Sequence, residues 1–123
     1  MNESPRGLLI SGDLFFTSKV TGTAGSLGLQ LDVASSTTQA TTQLAESVYA
    51  CVLLDLTLAG LDVSDVITAL PRQDRPAVIA FGPHVQTGRL EAARSAGCDE
   101  VLPRSRFSAE LPQLLGRFVS GTG

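Results

Sequence analysis

The chain has little cysteine, a single histidine and no long apolar run, and each shortage closes off a class of function. Two cysteines, Cys51 and Cys98, make neither a disulfide framework nor a zinc set, which needs about four ligands. One histidine, His84, excludes most histidine-based metal chemistry. No stretch approaches the roughly 18–20 apolar residues that cross a bilayer, so no membrane span is expected. The first residues, Met1 to Gly7, carry Glu3 and Arg6 and lead straight into an apolar run. No signal peptide is visible there, and a cytoplasmic location is expected. There is no Ser/His/Asp arrangement, no phosphate-binding P-loop and no zinc spacing, so a free-standing enzyme is not expected. Gly22, Gly25 and Gly28 are spaced by three and do not make the G-x-G-x-x-G nucleotide signature. Close packing of a first helix is the simpler expectation for them. Repeats, low-complexity blocks and wide linkers are missing too.

What is present suits one domain over residues 1–123, with a core from about 7 to 119 and a fraying tail at 120–123. Hydrophobic residues make up 43% of the 123, enough for a sizeable core. The net charge of −3 gives no support for nucleic-acid binding. That charge is uneven: seven acids and two bases lie up to Leu70, five acids and seven bases beyond it. The later bases are all Arg. They could form a partner surface or simply coat solvated helices.

Three short continuous apolar runs, Leu8–Ile10, Cys51–Leu54 and Ala77–Phe81, suit strands buried on both faces of a parallel sheet. Leu29–Val33 alternates as an edge strand would, and Val101–Leu102 is a fifth, shorter candidate. Helical patterns fall between them. Val63, Val66, Ile67 and Leu70 share one face, with Asp62 as N-cap and Pro71 as the stop. Residues 87–96 read as a helix closed by a left-handed Gly97. Ser108 is the expected N-cap of a last helix presenting Leu111, Leu114, Leu115 and Phe118, with Pro112 in its first turn. The weakest helical pattern is 15–27, where Gly22 and Gly25 each cost about 1 kcal/mol against Ala. The sum alternates strand and helix five times, the pattern of a doubly wound α/β fold with strand order 2-1-3-4-5 and helices on both faces.

In such a sheet ligands gather beyond the carboxyl ends of the strands. Asp13 follows strand one, Asp55 ends strand three, Gly82 ends strand four and Arg104 follows strand five. Two carboxylates with a backbone carbonyl suit a hard divalent ion such as Mg2+, and a nearby cation suits a phosphoryl oxygen. Asp13 could equally cap the first helix, Asp55 could brace a loop, and Arg104 could be solvated. The cleft could also take a small ligand or anion. His84 follows strand four near the same cleft, where a solvated loop residue is the plainer expectation. Phe15-Phe16 could offer an exposed partner patch, with at least one ring buried. Cys51 and Cys98 are expected to be buried, inert thiols.

Over residues 7–119 the chain resembles the receiver domains of two-component response regulators, the CheY-like superfamily. The stretches that carry the resemblance are Leu8-Leu-Ile-Ser-Gly-Asp13, Val52-Leu-Leu-Asp-Leu-Thr57 and Ala92-Ala-Arg-Ser-Ala-Gly-Cys-Asp-Glu-Val-Leu-Pro-Arg104. The resemblance implies a flavodoxin-like fold, a phosphoacceptor at Asp55 and a partner sensor histidine kinase. It implies Mg2+ on Asp13, Asp55 and the Thr57 carbonyl, with phosphoryl contacts near Arg104 and Gly82. The sequence departs from the family pattern at Gly12, where a second acid belongs, and at Gly82, where a hydroxyl belongs. Pro103-Arg104 replaces Lys-Pro, Val101 replaces an aromatic, and Leu58-Ala59 replaces Met-Pro. With these departures Mg2+ binding is expected to be weak or absent. Two modes of action stay open: phosphorelay through Asp55, or a phosphorylation-independent module that docks or dimerises. The fourth helix, fifth strand and fifth helix form the expected dimer face.

Overall fold

The computed structural model describes residues 5–119, and the tail expected to fray lies outside them. Its elements are β1 (Arg6–Ile10), α1 (Leu14–Leu27), β2 (Gln30–Ala34), α2 (Thr37–Glu46), β3 (Cys51–Asp55), α3 (Val63–Ala69), β4 (Ala77–Gly82), α4 (Thr87–Ala96), β5 (Glu100–Pro103), α5 (Arg104–Ala109) and α6 (Leu111–Gly116). All strands pair in parallel, in the order β2-β1-β3-β4-β5. This is the five-stranded doubly wound sheet expected from the alternation of apolar runs and helical patterns.

Strand periodicity divides the core into two layers. Leu8, Ile10, Val52, Leu54, Val78 and Ala80 face α2, α3 and α4. Leu9, Leu53, Ile79 and Phe81 face α1, α5 and α6. The three central strands are thus apolar on both sides, which is why their sequences read as unbroken runs. No helix among the described residues is long and apolar enough to cross a membrane.

Helix ends follow local chemistry. Asp13, Ser36 and Asp62 each accept a hydrogen bond from a backbone N–H in the first turn of α1, α2 and α3. Gly28 and Gly97 close α1 and α4 in the left-handed conformation, at φ 87° and 114°. Two expectations need correction. Ser108 is not an N-cap: it lies inside α5, which begins at Arg104 directly after β5. The chain breaks at Glu110, because Pro112 has no N–H to donate to the Ser108 carbonyl, and a new helix, α6, starts there. Leu111, Leu114 and Leu115 nonetheless form the buried face expected of them. Gly22 and Gly25 are not close-packed, since a Cβ at either would meet nothing within 4 Å.

The basic second half of the chain carries little free charge. Arg75, Arg94, Arg104, Arg106 and Arg117 each sit in an ion pair, with Asp99, Glu91, Asp13, Glu110 and Glu100. Both cysteines are buried, and burial pushes the Cys51 thiol up to about 12 and Cys98 to about 11. Their burial is as expected.

Candidate functional site

The parallel sheet brings the ends of β1, β3, β4 and β5 to one rim. Asp55 is the last residue of β3 and is 1% exposed. A buried carboxylate must find donors, and three are supplied. The Ser11 hydroxyl donates to Asp55 Oδ2 at 2.7 Å. The Thr57 amide and hydroxyl both donate to Asp55 Oδ1, at 2.9 and 2.6 Å. Ser11, itself 2% exposed, continues the ladder past β1 by donating its N–H to the Ala34 carbonyl. That ladder bond fixes the residue whose hydroxyl reaches Asp55.

Asp13 is turned elsewhere. Its Oδ1 accepts the Phe16 amide at 3.0 Å, and its Oδ2 accepts Arg104 Nη2 at 2.9 Å. The Arg104 hydrogen bond and the Phe16 amide hold the Asp13 carboxyl below the usual carboxylate range. Asp13 is therefore both helix cap and ion-pair partner. Its link to Asp55 runs through Ser11, whose Oγ accepts the Asp13 amide at 3.2 Å. The guanidinium carbon of Arg104 also lies 4.2 Å from the centroid of the Phe16 ring. Phe16 in turn packs against Phe81 and Phe107, which stack at 4.1 Å. One hydrogen-bonded chain, Arg104–Asp13–Ser11–Asp55–Thr57, thus spans the ends of β5, β1 and β3.

Leucines lie beside both glycines of the rim, of which Gly12 is exposed and Gly82 buried. A Cβ on Gly12 would lie 3.1 Å from Leu58 Cδ1, and one on Gly82 would lie 3.3 Å from Leu56 Cβ. Leu56 is buried, and its carbonyl accepts a hydrogen bond from Arg89 Nη1 at 2.8 Å. Gly82 therefore faces a leucine and brings no polar side chain to the cleft. His84 is exposed in the loop after β4.

The resemblance carried by the sequence implies Mg2+ at this rim, and the donor chemistry bears on whether the residues suit it. Magnesium needs near-octahedral oxygen ligands, usually one or two carboxylates with free lone pairs plus waters. Here both Asp55 oxygens accept hydrogen bonds, and Asp13 is held by a guanidinium. Gly12 contributes no ligand, and the described residues contain no group of three or more His, Cys, Asp or Glu placed to hold a metal. As folded, the donor set is one carboxylate short at Gly12 and its Asp13 is already paired with Arg104, a poor fit to the ion.

Of the residues singled out from sequence, Asp55 and Thr57 meet, Asp13 and Arg104 meet, and Gly82 lies under Leu56. Sequence reasoning missed Ser11, the side chain from β1 that touches Asp55. The available signal was a hydroxyl directly after a buried strand, within the tripeptide Ser11-Gly12-Asp13. It missed also Leu56, which packs against the buried Gly82.

No protein-family model matches the chain, and no curated protein matches it in sequence. Solved structures match it closely in shape. A response regulator from Hahella chejuensis superposes with a TM-score of 0.83 at 16% identity, covering 98% of each chain. A signal receiver domain from Bermanella marisrubri gives 0.80 at 21% identity, over 96% of this chain and 100% of its own. The receiver domain of a sensor histidine kinase from Pseudomonas aeruginosa, solved with magnesium in its active-site cleft, gives 0.78 at 22%, over 95% and 98%. These likenesses extend over nearly the whole of each chain: the protein has the fold of response-regulator receiver domains.

Proposed function

We propose that the protein is a signalling module of the receiver class that acts by presenting its surface to a protein partner, without phosphorylation. The observation that supports this reading is the closed shell around Asp55. A carboxylate that attacks a phosphoryl group needs an open approach and freedom to turn toward it. Three donated hydrogen bonds hold both Asp55 oxygens in place, and the residue is 1% exposed. Asp55 here braces the strand ends.

The surface on offer lies beside the cleft. Leu14 and Phe15, in the first turn of α1, are 80% and 91% exposed, whereas Phe16 is buried. An adjacent pair of large apolar side chains in water marks a contact surface better than scattered single ones do. The face formed by α4, β5 and α5 is the second surface, suited to self-association. Its arginines Arg94 and Arg106 are neutralised within the chain, which lowers the charge a second copy must bury. The partner is a signalling protein of the cytoplasm, the setting in which receiver folds meet histidine kinases.

Phosphorelay is the other reading, and the position of Asp55 at the end of β3 favours it. Intact-mass measurement after incubation with a small phosphodonor and Mg2+ separates the two. The docking reading expects no added phosphoryl group on wild type. A phosphoryl adduct that disappears in Asp55→Asn establishes phosphorelay instead.

A further inference from the structure

Resting on that receiver reading, we infer that Arg104 is the cleft's built-in cation. It fills the counter-ion role at Asp13 that a divalent metal would otherwise take, and so makes the domain insensitive to divalent ions.

The first support is where the charge comes from. Arg104 opens α5 directly after β5, and its guanidinium reaches a carboxylate 91 residues earlier in the chain. The second is that it is held from two directions. Its Nη2 bonds Asp13 at 2.9 Å while its planar head lies over the Phe16 ring at 4.2 Å. A guanidinium is more weakly hydrated than an ammonium and stacks well on an aromatic face, so this placement costs it little. Magnesium, in contrast, gives up its waters reluctantly.

The third support is that Arg104 is the cation bonded to a carboxylate of this cleft: Asp55 is bonded by the neutral donors Ser11 and Thr57, and Asp13 by Arg104 and the Phe16 amide. The titratable and charged groups at this rim are Asp13 and Asp55 on the acidic side and Arg104 and Arg89 on the basic side. Arg89 is engaged with the Leu56 carbonyl. Of these, Arg104 is paired with a carboxylate of the cleft, and a divalent ion at Asp13 would enter against its charge. Arg104 also ties α5 to the start of α1, so the exchange of cation for guanidinium fixes the relation of β5 to β1.

The test is a titration of the full chain with Mn2+, which shares the oxygen preference of Mg2+ and broadens nearby amide resonances. Wild type is expected to show no selective broadening at residues 11–13 and 55–58. Arg104→Gln and Arg104→Ala are expected to gain saturable broadening there, and adding Asp13→Asn to Arg104→Gln is expected to abolish it. Selective broadening in wild type overturns the inference. So does silence in both Arg104 variants, because some group other than Arg104 then excludes the ion. A wild type that takes Mn2+ but gains no phosphoryl mass removes this inference and leaves the docking reading standing. Phosphoryl transfer to Asp55 removes the docking reading itself.

Discussion

Ser11 donates its hydroxyl to Asp55 across 44 residues of sequence, at 2.7 Å, inside the rim where β1 and β3 end. This bond joins the ends of two strands through the residue expected to accept a phosphoryl group. Removing the donor strands a buried carboxylate oxygen, and breaking such a bond costs more than the bond itself contributes.

Ser11→Ala is therefore expected to destabilise the fold by about 1–3 kcal/mol. Urea unfolding checks this: the midpoint should fall while the slope stays constant. An unchanged midpoint would mean that Asp55 does not depend on this donor.

Gly22 and Gly25 lie in the interior of α1 with open space where a Cβ would go. Alanine at either position adds helix propensity and restricts the unfolded chain, with a gain of about 0.5–1 kcal/mol each. The same unfolding assay should show two nearly additive increases.

Asp13 supplies a pH dependence whose sign is determined. Its pKa is lowered in the folded state by Arg104 and the Phe16 amide, from a reference of 3.8. A depressed carboxyl contributes stability that is present above 3.8 and is lost as the pH falls through the folded value. Thermal unfolding followed down through that range should therefore fall less steeply for Arg104→Gln than for wild type. Parallel curves would show that the ion pair has no linkage to folding.

Two adjacent phenylalanines should respond in opposite ways. Phe15 is 91% exposed, so Phe15→Ser is expected to change stability by less than about 0.5 kcal/mol. Phe16 packs between Arg104 and the Phe81 and Phe107 rings. Phe16→Ala is expected to cost about 3–5 kcal/mol. Equal effects in denaturant would contradict the burial pattern on which the surface assignment depends.

Much of the fold was legible because its determinants are local. Unbroken runs such as Cys51–Leu54 signal strands covered on both faces, and Asp62, Gly97 and Pro71 mark helix ends through hydrogen bonding and backbone geometry alone. The break at Glu110 was obscured by a conflict between neighbours: Ser108 resembles a cap, but β5 delivers the chain to Arg104 already in position to turn helical. The site was legible only in outline. Residues 11, 55, 57 and 104 converge through strand register, which composition does not encode. Whether Asp13 turns toward Asp55 or toward Arg104 depends on a pairing 91 residues apart. Leu56 reads as an ordinary residue after a strand until the sheet sets it against Gly82.

The central claim is that Asp55 braces the cleft and takes no phosphoryl group. Its most direct test is an amide NMR spectrum with Mg2+, before and after adding beryllofluoride, a phosphoryl mimic, on wild type and Asp55→Asn. The account expects neither protein to respond. Shifts that spread in wild type from Asp55 toward residues 82–106, and are absent in Asp55→Asn, would contradict it and establish a working phosphoryl switch.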